Sequence, residues 1–165
     1  MDDATITFSC GTEVKVDEAD LPLLSSYSWH PERKPRATYA KAWADGRKVY
    51  MHRLVLGLDD PGIHVDHING DGLDNRRGNL RVATNLQNQH NRRPNRRGSS
   101  CFKGVGWHRA TNKWQARIGI GGRQVQIGLF EDEVEAARAY DAAAVKNFGE
   151  FARPNFEPVG VLHDD

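Results

Sequence analysis

Asp66 and His67 stand side by side, Asn79 follows twelve residues after the histidine, and Asn88 comes nine residues later. These side chains match the needs of phosphodiester hydrolysis, which requires a water made nucleophilic and neutralisation of the charge that develops on phosphate and leaving oxygen. The Asp66 carboxylate and the Asn88 amide oxygen are hard donors suited to Mg²⁺, with Mn²⁺ as the alternative ion; such a metal keeps several waters and completes its shell with substrate phosphate. His67, on the other face of a strand or at its frayed end, can take a proton from water near neutral pH. Asn79 can hydrogen-bond the imidazole and fix its tautomer and tilt. Arg76 and Arg77 follow in the same stretch and are placed to hold phosphates.

Positioning these groups takes a strand, a polar loop, a return strand and a helix. Thr84 with Gln87 three residues later fits a capping box, so Asn88 lies about one turn into that helix and can point back at the end of the first strand. If the helix register is shifted, His90 replaces Asn88 as ligand, although residues two apart do not share a helix face. The loop acids Asp71 and Asp74 with Asp66 lack the order and closing Glu of a calcium-binding EF-hand loop. His52 and His64 read as structural, with His64 the nearer to the site. Upstream, residues 5–16 read as a hairpin around Gly11-Thr12 and 17–29 as a capped helical segment. Residues 38–50 read as a second hairpin around Asp45-Gly46, leading into the apolar run 51–58. All of this is scaffold.

The net charge of +1 hides a strong asymmetry, because 12 of the 23 basic side chains fall within residues 75–130, where there is no Asp or Glu. That is the footprint of a surface that replaces counterions on a phosphate backbone. Four of these arginines, Arg92, Arg93, Arg96 and Arg97, lie in HNRRPNRRGSS, whose Pro, Gly, Ser and charge suit a basic linker along DNA. Lys103 is a further cation of the run. After the linker come β-like stretches at 104–108, 114–120 and 124–129, separated by turn residues. A helical period follows, with Val134, Ala137, Tyr140, Ala144 and Phe148 on one face and Gly149 as the stop.

Two widely separated cysteines, Cys10 and Cys101, support neither a disulfide framework nor a cysteine-rich zinc site. No apolar run approaches the roughly 18 residues of a membrane span, and the acidic start Met1-Asp2-Asp3 is unlike a secretory signal. The expected location is a cytoplasm, that of the bacterial host if the chain is phage-encoded.

The frame Asp66-His67, Asn79-Leu80 and Asn88, with His52-Arg53-Leu54 upstream, resembles the HNH homing endonucleases of phages and mobile introns, in the branch whose third signature position is Asn. The resemblance covers roughly residues 1–92. It implies a general base at His67, metal ligands at Asp66 and Asn88, and a structural role for Asn79. Residues 99–156 resemble the DNA-binding domain of plant Apetala and ethylene-response factors through Phe102-Lys103-Gly104-Val105, Lys113-Trp114-Gln115-Ala116, Ile127-Gly128-Leu129-Phe130, the helix 135–144 and Asn155-Phe156. This second resemblance implies a sheet lying in the major groove, with His108, Arg109, Arg117, Gln124 and Gln126 as base or phosphate readers and Arg123 on phosphate. Gly106 and Gly119 stand where that family presents arginine, so base readout differs. Trp114 and Phe130 are expected in the core, while Trp107 is open between packing and stacking on DNA.

The expected fold is α+β: an N-terminal ββα-metal (HNH) nuclease domain, residues 1–90 with its motif core at 51–90, and a C-terminal three-stranded antiparallel sheet packed on one helix, residues 101–157. A basic linker at 91–100 joins them, and 158–165 form a tail. The expected function is a metal-dependent endonuclease acting on double-stranded DNA, of a site-selective nicking or homing type, with no membrane and no obligate protein partner. The alternative is a sequence-specific DNA-binding protein whose HNH part is inactive.

Overall fold

The computed structural model describes residues 2–93 and 98–157, and the chain divides into two compact units, Met1–Asn88 and Gln89–Asp165. Arg96 and Arg97 lie outside the described residues, as does the tail. None of the described helices is long and apolar enough to cross a membrane.

The first unit opens on the antiparallel strands β1 (Asp3–Thr7) and β2 (Glu13–Asp17), the hairpin expected from the alternation around Gly11. Residues 17–29 do not form one helix: a single 3₁₀ turn, Glu18–Asp20, leads into the short α1 (Leu21–Leu24). Pro22 is tolerated in a first turn, but the serines that follow are weak helix formers, and burial of Trp29 decides where the chain goes. Its indole donates to the Leu24 carbonyl at 2.9 Å, and its ring joins the core with Leu24, Val14 and Val16.

Next come β3 (His30–Arg33), β4 (Thr38–Ala44) and β5 (Arg47–Tyr50), an antiparallel sheet in that order. Asp45 and Gly46 supply the two positive φ angles, 49° and 72°, that a tight hairpin with the twist of its strands requires. The edge strand β3 escapes a sequence reading because Pro31 and the charged Glu32-Arg33 break any alternation. Ala40 and Ala42 are fully buried on one face. On the other, Glu32 accepts hydrogen bonds from the Lys48 ammonium, at 2.6 Å, and from the Tyr50 hydroxyl, and these pull its carboxyl down to about 2. Helix α2 (Met51–Val55) buries Met51 and Val55, one turn apart, in the core.

Strands β6 (His64–His67) and β7 (Leu80–Ala83) pair antiparallel, and helix α3 (Asn85–His90) follows, its last two residues falling in the second unit. The capping box is present, since the Thr84 hydroxyl accepts from Gln87 N at 3.2 Å and the Gln87 side chain accepts from Thr84 N at 2.7 Å.

In the second unit, β8 (Val105–His108), β9 (Lys113–Ile120) and β10 (Arg123–Phe130) form an antiparallel sheet in the order β10-β9-β8, followed by α4 (Glu133–Phe148). Asp132 caps the helix by accepting from the backbone of Val134 and Glu135. Ala136, Ala137, Tyr140 and Ala144 of α4 are buried together with Ala116 and Ile118 of β9. Gly104, at φ 77°, fits beneath Tyr140: a Cβ there would overlap the ring and lie 2.7 Å from the Arg117 carbonyl oxygen. Asn155 closes the unit, accepting from Lys103 N at 2.6 Å and donating from its backbone and side chain to Asp141.

Candidate active site and nucleic-acid interface

The register of β6 and β7 fixes which way each candidate side chain turns. Asp66 lies across from Arg81 and His67 across from Leu80, so the carboxylate and the imidazole occupy opposite faces, and Leu80 belongs to the core. Both residues are buried, Asp66 at 7% and His67 at 5% exposure. Two donors of Arg81, Nε and Nη2, reach Asp66 Oδ2 at 2.9 and 2.6 Å.

The His67 ring sits against Tyr39 and meets His52 edge-on, with ring centroids 5.8 and 5.2 Å away. His52 in turn stacks on Tyr50. His52, and not the exposed His64 at the start of β6, is thus the histidine beside the site, its ring 5.2 Å from that of His67. Burial pushes both rings toward the neutral form, His52 down to about 3 and His67 below its ordinary value, the latter opposed by a hydrogen bond to Asn75 and by nearby carboxylates.

Asn75 is the residue beside His67 that sequence reading missed. Its Oδ1 faces His67 Nε2 at 3.4 Å, its side chain is fully buried, and its Nδ2 has no hydrogen-bond partner. Asn79, assigned to the histidine from the sequence, serves the loop instead. Its Oδ1 accepts from Asn69 N at 3.0 Å, and its Nδ2 donates to Asn69 Oδ1 and to the Asp74 carbonyl. The physical reason is that Asn79 precedes β7 and faces the loop start across the strand pair, whereas Asn75 lies at the inward turn of the loop. That turn is held against β2 by Asn75 N to the Lys15 carbonyl and Lys15 N to the Leu73 carbonyl. A buried carboxamide whose oxygen faces the histidine is a signal that only the folded loop reveals.

Arg76 and Arg77 also depart from the reading as phosphate holders, since acids of the fold engage both. Arg76 grips the buried Asp74 through Nε and Nη2 at 2.8 and 2.7 Å and reaches Asp3 with Nη1. Arg77 pairs with Asp20 at 2.7 Å, and its backbone donates to Asp17. Together they clamp the loop to the first hairpin and the 3₁₀ turn. Asp71 and Asp74 cap loop backbone or hold Arg76 and are not poised for a cation.

Asn88 reaches back as its helix register predicts. Its Nδ2 lies 3.4 Å from the carbonyl of Val65, the residue before Asp66, and its Oδ1 is buried without a hydrogen-bond partner. An orphaned buried carbonyl oxygen costs about 1–3 kcal/mol, and a cation is a partner that relieves it. The donor set of Asp66 and Asn88, hard oxygens both, therefore fits a Mg²⁺-type ion.

In the second unit, Ala116 and Ile118 of β9 turn toward α4, so Gln115 and Arg117 turn outward. Pairing carries that outward face across the sheet: Gln126 lies opposite Arg117, Gln124 opposite Gly119, Gly106 opposite Gln115, and His108 opposite Lys113. Four residues singled out from sequence, His108, Arg117, Gln124 and Gln126, thus share one face, and Gln115 joins them by donating to Gln126 Oε1 at 2.7 Å. His108 Nδ1 shares a hydrogen bond with the Thr111 hydroxyl. Arg109 is exposed just beyond β8, and Arg123 is exposed at the first position of β10. Arg92 and Arg93 are exposed after α3.

Lys103 differs from the surface cation read from sequence. Its amine donates to the His90 carbonyl, and burial, reinforced by Arg153, drops it to about 8. Trp107 lies opposite Trp114 on the helix-side face and packs edge-on against it, so the outward face holds neither ring. Trp114 and Phe130 are half-buried and stand outside the fully buried core.

Comparison with known proteins returns the same two halves. Residues 49–90 match the HNH endonuclease family. An uncharacterized HNH endonuclease of Acanthamoeba polyphaga mimivirus is 33% identical over 150 residues, covering 88% of this chain and 75% of that protein. An APETALA2-like protein 2 of Oryza sativa subsp. indica is 52% identical over 70 residues, 41% of this chain and 16% of that protein. An AP2-like ethylene-responsive transcription factor of Arabidopsis thaliana is 48% identical over 63 residues, 37% of this chain and 13% of that protein. The chain therefore spans only a small part of the length of these plant proteins.

Proposed function

Since the chain belongs to the HNH endonuclease family and is a nuclease, we propose that it hydrolyses one phosphodiester bond of duplex DNA at a time, with its second unit choosing where. The observation that carries this reading is the buried, unpartnered carboxamide oxygen of Asn88, whose Nδ2 lies 3.4 Å from the Val65 carbonyl in the strand that also carries Asp66 and the buried His67. Asp66 and Asn88 would hold a divalent cation, most suitably Mg²⁺, which when bound supplies positive charge to the developing phosphate and leaving oxygen. His67 accepts the proton of the attacking water, and at 5% exposure its ring meets water over a small area, which restricts the direction of attack. Tyr39, His52 and Asn75 hold the ring still while it does so.

The outward face of the β8–β10 sheet is the recognition surface in this proposal. Gln124 and Gln126 suit adenine edges and Arg117 suits phosphate or guanine, while Arg123, paired with Ile120 and so off this face, suits phosphate at the start of β10. Gly106 and Gly119 leave the face shallow where the plant domains present arginine, so the site preferred is a different one. Residues 91–100 act as a basic tether along DNA, consistent with the exposed Arg92 and Arg93. One active centre per chain makes nicking the primary event.

The test is conversion of supercoiled plasmid to open circles by the wild type and by His67→Ala, with Mg²⁺ and with EDTA. Open circles from the wild type with Mg²⁺ alone are expected, and His67→Ala should bind DNA yet not cut. Normal cutting by His67→Ala would remove the histidine from its role.

A further inference from the structure

Arg81 reads in the sequence only as one cation of the basic run at 75–130, yet it is bonded to the proposed metal ligand. The β6–β7 register sets it directly across from Asp66, and both Nε and Nη2 converge on one carboxylate oxygen. The pair is withdrawn from water, with side-chain exposures of 13% for Arg81 and 9% for Asp66. A carboxylate so buried needs a counter-charge, and the guanidinium provides it. A divalent cation taken up by the same carboxylate would then lie within a few ångströms of a fixed positive charge, in surroundings where like charges repel far more strongly than in bulk water.

We propose that Arg81 is a resident counter-ion that holds divalent-cation affinity low in the DNA-free protein and is relieved when a DNA phosphate enters the site. The planar guanidinium matches phosphate as well as it matches carboxylate, so an incoming phosphate can share its donors and neutralise its charge. Cation loading and DNA binding are thereby coupled, each strengthening the other. The inference rests on the assignment of Asp66 as a metal ligand.

The experiment is Mn²⁺ binding to the full chain without DNA, followed by electron paramagnetic resonance, for the wild type, Arg81→Gln, Arg81→Lys and Asp66→Asn. Arg81→Gln keeps hydrogen-bonding capacity without charge and is expected to bind Mn²⁺ at least about tenfold more tightly, a change of the size that partners of metal ligands produce. Arg81→Lys, which keeps the charge, should stay near the wild type, and Asp66→Asn should abolish binding. Equal or weaker binding by Arg81→Gln, alongside Asp66-dependent binding in the wild type, overturns the counter-ion role and leaves the metal assignment standing. No Asp66-dependent binding in any variant removes the metal assignment and this inference with it. If Arg81→Gln unfolds without metal, circular dichroism during a Mn²⁺ titration reads the same quantity. Refolding at a lower Mn²⁺ concentration than the wild type needs for binding supports the proposal, and failure to refold overturns it.

Discussion

His67 depends for its geometry on a residue eight positions away that has no chemistry of its own. The Asn75 carboxamide is fully buried, lies 3.4 Å from the imidazole and sits in a loop pinned to β2, so removing it frees the ring to tilt without touching the base itself. Asn75→Ala should therefore lower kcat for cleavage by at least about tenfold while KM moves little, the pattern of a lost positioning contact. Steady-state nicking kinetics check this, and an unchanged kcat would show that Tyr39 and His52 suffice to hold the ring. Asn79 illustrates the converse: its hydrogen bonds to Asn69 and Asp74 make it a loop residue, whose replacement should be felt as lost stability of the first unit.

At the level of elements, the second unit's face is set by what lies beneath it. Gly104 must be glycine, because its φ of 77° disfavours a side chain and Tyr140 fills the space where one would go. Gly104→Ala is expected to destabilise this unit by at least about 3 kcal/mol, through overpacking and strain together. Asp132→Ala removes only the cap of α4 and should cost about 1 kcal/mol. Thermal melts of the two variants should thus differ clearly in midpoint, and equal midpoints would contradict the packing described. Lys103 adds a pH dependence whose sign can be worked out. Its amine titrates near 8 in the fold and near 10.4 when unfolded, so between these values the unfolded chain holds the extra proton and stability rises with pH. Tyr140, pushed up by burial to about 12, reverses the trend above pH 10, since the unfolded phenol ionises first. Lys103→Met should flatten the rise between pH 8 and 10 in chemical denaturation of the full chain; an undiminished rise would assign it to other groups.

For the molecule as a whole, the division of labour between the units predicts how binding responds to truncation and salt. A fragment ending at residue 94 keeps Asp66, His67 and Asn88 and loses the sheet whose outward face carries Arg117, Gln124 and Gln126. It should nick slowly and with little site preference. Its affinity for duplex DNA should fall less steeply with salt, because fewer phosphates are neutralised. Binding isotherms at several salt concentrations decide the matter, and a fragment as tight and selective as the full chain would place recognition in the first unit.

The amino-acid sequence alone determined the order of elements around Asp66 and His67, the capping box that starts α3, the Asp45-Gly46 hairpin and the β8–β10 meander. Each is written in residues adjacent or nearly adjacent along the chain, where spacing, turn chemistry and alternation act directly. It also carried the family, because the signature lies within one continuous stretch. Tertiary structure decided what long-range pairing decides. Burial of Trp29 cut short the helix expected at 17–29, and Pro31 hid an edge strand. Carboxylates brought from residues 3, 17 and 20 engaged Arg76 and Arg77, and the β6–β7 register set Arg81 against Asp66. Charged side chains look alike in a sequence whether they face DNA or an acid of their own fold. The fold separates the two, because an ion pair requires both partners to meet in space.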